Sequence, residues 1–467
     1  MRHANLIPIL FAGALAVQAG DMTNAQEITL PPPAYDVERF NENYSRLSNP
    51  ASHSDWLDPV KYIPLRAEDP AWYLTFGGEL RERFEGNDPI NFGIGGAGSD
   101  SYLLQRATIL TDAHLSDRLR FFAQGISGLM EGEVPPAPGA QQDPIDLQFA
   151  FVDVVPYLTD DERFTVRAGR FGLSFGAGRL VDSRPPVNID FRFDGMEWLY
   201  SRPLWSAAAF LTQLVRDSGG IDAEDHTTTF LGLYVTHWFD APHTLGVDFY
   251  YFGIHRKDGA YASGTGDEHR HTLGTRQFAG WNSWDWNTEE ALQLGSFGND
   301  SILAWTASLD SGYTWQAPGK PRLGLEADVT SGDTNPHDGQ QETFDALYFK
   351  SGYFNDASML RPENIMDLHP NLSARPTRTI ATDGGVDFFW RYSRNDAVYA
   401  VPGFIAVPAL HTDSSYVGTA LDVNLTWNIQ RHVNLLASYV HFISGSYIRQ
   451  AGGADVNYIS TTISFLF

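Results

Sequence analysis

The chain has 467 residues and no cysteine, and its 57 acidic against 32 basic side chains give a net charge of −25. That balance argues against nucleic acid, whose binders carry a basic footprint, and the missing cysteines exclude a disulfide framework. Beyond the N-terminus no run approaches the ~20 consecutive apolar residues of a membrane helix, which excludes a helical membrane protein.

Arg2, the apolar run Leu6 to Val17 and the small residues Ala19-Gly20 read as a secretory signal peptide over 1–19, with cleavage after Ala25 as the alternative. Residues 26–70 are rich in Pro, Asn and Asp (Pro31-Pro32-Pro33, then Asp55 to Leu65) and show no regular period. They read as an N-terminal periplasmic lead-in packed on the base or mouth of the next domain, or as a linker.

From Trp72 the period becomes two. Leu74, Phe76 and Leu80 alternate with Tyr73, Thr75, Glu79, Arg81 and Arg83. Ile109, Ala113 and Leu115 alternate with Arg106, Asp112 and His114. Leu323, Leu325 and Val329 alternate with Arg322, Glu326 and Asp328, and Val386, Phe388 and Trp390 with Asp383, Asp387 and Arg391. The last segment, Val456 to Phe467, places Ile459, Ile463, Phe465 and Phe467 on one face and Tyr458, Ser460, Thr462 and Ser464 on the other. Such a closing strand with a terminal aromatic is what outer-membrane assembly machinery reads. Tight turns (116–118, 201–203, 240–242, 317–319, 430–432) alternate with long polar loops (85–100, 130–145, 172–191, 255–268, 332–367, 394–414). The expectation is all-β: a transmembrane antiparallel β-barrel over 71–467 of about eighteen strands, with short periplasmic turns and long extracellular loops.

The densest motif runs Arg167-Ala168-Gly169-Arg170-Phe171, Ser174 to Val181 with Arg179, then Arg184, Asn188 and Phe191-Arg192-Phe193-Asp194-Gly195. Arginine forks match carboxylates in bidentate fashion, so the cluster reads either as a selective ring for an anionic solute or as a loop held by Arg–Asp pairs. Phe164, Val166 and Ala168 look lipid-facing, which puts Arg170 on that face unless the span ends or a bulge at Gly169 resets the alternation. This block resembles the signature of the alginate-export family of outer-membrane proteins, and so do the stretches at 55–65, 103–106, 117–124, 151–153, 271–276, 367–370, 375–378 and 387–391. The resemblance implies an eighteen-stranded barrel that passes an anionic exopolysaccharide through an arginine-rich constriction. Two departures stand out: Phe171 replaces a frequent Gln, and the inferred lumen mixes signs, which suits a smaller or zwitterionic solute or a scaffold of ion pairs.

The pore-lining or selective set is therefore Arg81, Arg83, Arg106, Arg167, Arg170, Arg179, Arg184, Arg192 and Arg391. The acidic lumen partners are Glu79, Asp112, Asp194, Glu326, Asp328, Asp383 and Asp387. His269 and His271 lie at the spacing of a metal pair but lack a third ligand in register, and His411 to Ser415 holds hydrolase atoms only as a loop. Gly93 to Gly98 lacks the Lys of a phosphate loop. Trp281, Trp284 and Trp286 read as an interfacial girdle, or as a platform on which sugars stack. No cofactor, metal or catalytic residue is expected. The expected function is passive diffusion of an anionic solute, such as an alginate-like polysaccharide, across the outer membrane of a Gram-negative bacterium, by a monomer surrounded by lipid. The alternative is a barrel enzyme or surface-binding protein with a plugged lumen.

Overall fold

The computed structural model of the protein describes residues 35–132, 140–217, 221–240, 243–401, 404–410 and 412–467. The expected signal segment, the Pro31 to Pro33 run, Ala241-Pro242 and His411 lie outside the described residues. Among the described residues eighteen antiparallel strands close into one barrel. They are β1 Trp72–Asp88, β2 Asp100–Ser116, β3 Leu119–Glu131, β4 Asp143–Leu158, β5 Arg163–Phe171 and β6 Phe193–Arg202. Next come β7 Trp205–Val215, β8 Glu224–Trp238, β9 Leu245–Tyr261, β10 Gly264–Trp281, β11 Trp284–Phe297 and β12 Asp300–Thr314. The circle ends with β13 Arg322–Thr330, β14 Ile365–Ala374, β15 Ile380–Arg391, β16 Tyr416–Gln430, β17 Val433–Ser444 and β18 Val456–Leu466.

Each strand pairs with its sequence neighbours, and β18 pairs with β1 in the register Arg81↔Ser464 and Arg83↔Thr462. Closure satisfies every strand edge, a condition that hydrocarbon enforces because it offers no hydrogen bonds. Ile109, Leu80, Leu372 and Val423 are each more than half exposed on the outer face, whereas Arg81, Arg83, Arg106 and Arg167 are buried inside. Apolar outside and charged inside is the membrane arrangement.

Connections at the periplasmic end are short, and most at the other end are long: 89–99, 132–142, 172–192, 216–223, 331–364, 392–415 and 445–455. The loop expected at 255–268 is instead strand, since β9 and β10 run on together to a two-residue turn at Ala262-Ser263. Trp281, Trp284 and Trp286 face outward beside the periplasmic turn at Asn282-Ser283.

Three segments enter the barrel. Phe40, from the lead-in, packs edge-on against Phe122, Phe149 and Phe151 at 5.5–5.9 Å. Arg39 beside it donates to the carbonyls of Gly78 and Phe467 at 2.8 and 3.0 Å. The 172–192 and 331–364 loops fold inward and share an apolar core with the wall, in which Leu180, Val181, Leu347 and Tyr348 meet Phe193, Phe210, Phe230 and Phe252. Where these loops meet the wall, the lumen is thus aromatic rather than polar.

Candidate functional site

The lumen centre is built where the two inward loops meet. Val181 and Tyr348 form a parallel bridge. The amide of Asp182 donates to the Tyr348 carbonyl and that of Tyr348 to the Leu180 carbonyl, both at 2.8 Å, while the Lys350 amide donates to the Gly178 carbonyl at 2.9 Å. The Tyr348 ring sits edge-on to Phe191, Phe193 and Phe230 at 4.9–5.2 Å. Arg184 turns the 172–192 loop at a backbone φ of 70°, a left-handed conformation that non-glycine residues seldom adopt.

The arginines hold this assembly. Arg81 donates to the carbonyls of Pro185 and Val187 at 2.7 Å and to Asn188 Oδ1 at 3.1 Å. Arg106 makes a fork to Glu79 at 2.7 and 2.9 Å, and its remaining nitrogen reaches Asp190 on the loop at 3.3 Å. Burial pushes the Asp190 carboxyl up to about 6, against the pull of Arg106 and Arg81. Arg83 is divided between Glu85 on its own strand and Asp356 on the 331–364 loop, the latter at 3.0 Å, with Tyr458 Oη accepting at 2.8 Å. Two wall arginines therefore each bind one wall carboxylate and one loop carboxylate.

The other expected residues have quieter places. Arg167 forks onto Asp153 at 2.8 and 3.1 Å and lies over Phe151. Asp112 binds Arg120. Arg179 faces Glu289 at 3.5 Å, and Arg184 donates to the Ile189 carbonyl at 2.9 Å while covering Phe191. Arg192, fully buried, pairs with Asp146, Asp217 and Asp222. Arg391, also fully buried, donates to the carbonyls of Arg394, Asp396 and Ser414 and so folds the 392–415 loop. Asp383 accepts from Asn424 at 2.8 Å, while Glu326, Asp328 and Asp387 line the β13–β15 wall.

Arg170 and Asp194 depart from the lumen placement. They pair with each other at 2.8 Å in register with Gln213, on the outward side shared by Met196 and Leu211. Gly169 has a φ of 133°, yet β5 keeps its alternation with both neighbours, so nothing brings Arg170 inside. His269 and His271 also face outward and do not act as a pair: His269 stacks on His255, and His271 accepts from or donates to the Tyr251 hydroxyl.

Four residues that matter here escaped the sequence reading. Asn188 was part of the motif but had no assigned role. Asp190, Asp356 and Glu38 carry no local signal, because their partners lie far away in sequence. Glu38 sits beneath the 172–192 loop, where burial pushes its carboxyl up to about 8, with Ser183, Asp190 and Asp182 around it.

Among solved structures the barrel is similar to Pseudomonas aeruginosa OpdK (11 % identity, 84 % of this chain and 98 % of that one, TM-score 0.57). It is also similar to OccD3 (OpdP) from the same bacterium (14 % identity, 84 % and 91 %, TM-score 0.56). At these identities the likeness shows the fold. No curated protein matches the chain. A family model described as alginate export matches residues 72–462, nearly the whole barrel. The chain belongs to the alginate-export family, an outer-membrane β-barrel channel protein of a Gram-negative bacterium.

Proposed function

We propose that the protein is a diffusion channel for an anionic saccharide, at rest closed by its two inward loops and with no enzymatic role. The observation that carries this reading is the division of Arg83 and Arg106 between wall and loop carboxylates. A passing carboxylate can replace Asp356 and Asp190 as the second partner, so each arginine is a latch when the loops are in and a selective site when they are out. A carboxylate on the solute offers the same charge-assisted pairing to the guanidinium that the loop carboxylates do. The family's description, alginate export, supports a carboxylated sugar as passenger. A closed sheet has no edge that demands a partner, which supports a monomer inserted by the assembly machinery.

The aromatic lumen core supports a second reading, in which the barrel is permanently plugged and its outer loops bind at the surface. Planar bilayers separate the two. Asp190→Asn with Asp356→Asn weakens both latches, and open-channel events become more frequent with anion preference retained. Arg83→Ala with Arg106→Ala also opens the loops but abolishes that preference. A barrel that stays silent in both variants contradicts the channel; one that conducts with unchanged preference contradicts the arginine selector.

A further inference from the structure

The closing seam of the barrel is uneven at its periplasmic end. β18 pairs with β1 only from Glu79 upward, with Leu466 opposite Glu79, and the backbones of Gly78 and Phe467 exchange two further bonds. Residues 72–77 of β1 extend below the end of β18, and the lead-in covers that edge. Its two-residue strand Ile63–Pro64 pairs antiparallel with Leu74 and Tyr73. The Leu65 amide donates to the Trp72 carbonyl at 2.9 Å, and the Thr75 hydroxyl to the Lys61 carbonyl at 2.7 Å. Gly77 permits this close seating, since a Cβ there would lie 2.6 Å from Lys61 Nζ and 2.8 Å from the Phe467 carbonyl oxygen. Directly opposite residues share one face of a sheet, so Ile63 is turned outward with Leu74. A second contact lies at the β16–β17 turn, where Asp55 accepts from His432 at 2.9 Å and pairs with Arg431 at 3.2 Å. This sets the Trp56 ring 5.7 Å from that of His432, which in turn faces outward Phe465 at 6.2 Å.

Trp56 is 69 % exposed, Leu65 45 % and Val60 40 %. Single exposed apolar side chains need no explanation, but these stand beside the outward aromatics that end the strands, Trp72 on β1 and Trp427 on β16. Such aromatics mark where hydrocarbon gives way to headgroups. We propose that the lead-in is an interfacial anchor: Trp56, Val60, Ile63 and Leu65 continue the lipid-facing wall below the seam and rest in the headgroup zone of the periplasmic phospholipid leaflet. The pairing of Ile63 with Leu74 makes the patch continuous with a surface already in lipid, which names lipid as its occupant. Charge agrees, since exposed Arg66 lies 3.5 Å over the Trp72 ring and brings a cation to the height of the lipid phosphates. One stretch of the lead-in is thereby held in the membrane while Phe40, nearer the N-terminus, enters the lumen.

The chain has no cysteine, so the full-length protein can carry one environment-sensitive dye, at Val60→Cys, Leu65→Cys or Asn41→Cys. The probe is a nanodisc of phosphatidylethanolamine and phosphatidylglycerol whose acyl chains carry bromine just below the headgroup. Dyes at positions 60 and 65 are expected to lose most of their fluorescence relative to unbrominated discs, while the dye at position 41, next to Phe40 in the mouth, keeps its own. Trp56→Asp with Leu65→Asp, both at exposed positions, is expected to abolish the loss at position 60; the heat-shifted mobility of barrels on gels shows that the variant is folded. Full fluorescence at positions 60 and 65 in brominated discs overturns the leaflet contact. So does a loss at position 60 that survives the double variant. Shielding of these dyes from aqueous iodide without quenching by bromine also overturns it, and gives the patch to a protein partner instead. Conductance enters none of these outcomes, so the anchor and the channel stand or fall separately.

Discussion

Asn188 shows how one side chain can hold a loop. It is fully buried, its amide nitrogen lies 2.9–3.1 Å from the carbonyls of Gln105, Leu129 and Gln141, and its oxygen accepts from Arg81. Asn188→Ala leaves those groups short of partners, at a cost of about 1–3 kcal/mol. Cleavage by trypsin after Arg179, in the same loop and followed by Leu180, should then quicken by about tenfold or more, the factor that ~1.4 kcal/mol represents. Glu38 acts at the same scale through pH. Its seated carboxyl titrates at about 8 against 4.5 when free, so seating of the lead-in gains most below 4.5 and loses that gain as pH rises through 8. Asp36, Asp182 and Asp190 are raised by burial in the same direction. Lys61, lowered by burial from 10.5 to about 7, works in the opposite sense but only above pH 7. Between pH 4.5 and 7, then, a dye on Asn41→Cys in this cysteine-free chain should report release of the lead-in as pH rises. The response should shrink in Glu38→Gln. A response of undiminished size would remove Glu38 from the account.

At the scale of elements, legibility followed the number of apolar faces a strand has. β1, β2, β13, β15 and β18 face lipid on one side and a polar lumen on the other, so their alternation was readable. β6 to β9 face lipid outside and the aromatic core inside; Phe249-Tyr250-Tyr251-Phe252 has no polar partner in its period, and alternation vanishes. Residues 255–268 fail for the opposite reason, since above the membrane neither face must be apolar although the hydrogen-bond ladder continues. Membership of the arginine motif was legible, but which arginine meets which loop was not, because Asp356 lies 273 residues from Arg83. The clasp itself makes a prediction: Tyr348→Ala removes a ring packed on three others, a loss of the order of 3–5 kcal/mol for large aromatic truncations. The barrel should remain folded while the 331–364 loop becomes open to protease. Unchanged loop protection would show that the backbone bonds alone hold the clasp.

For the whole molecule, the wall and its contents answer to different constraints. Hydrocarbon dictates the wall: closure, outward apolar residues and the β18–β1 register near the carbonyl of Phe467, to which Arg39 of the lead-in is tied. The lumen is free to be packed like a soluble core, and here it is, with a lead-in below and two clasped loops across the middle. A channel of this kind works only if the clasp opens. The chain has no cysteine, so Val181→Cys with Tyr348→Cys places a single disulfide across the clasp at the bridge where these residues already pair. Single-channel recording of this variant in planar bilayers is the most direct test. The account predicts silence when oxidised and anion-preferring openings after reduction; equal conductance in the two states would contradict it.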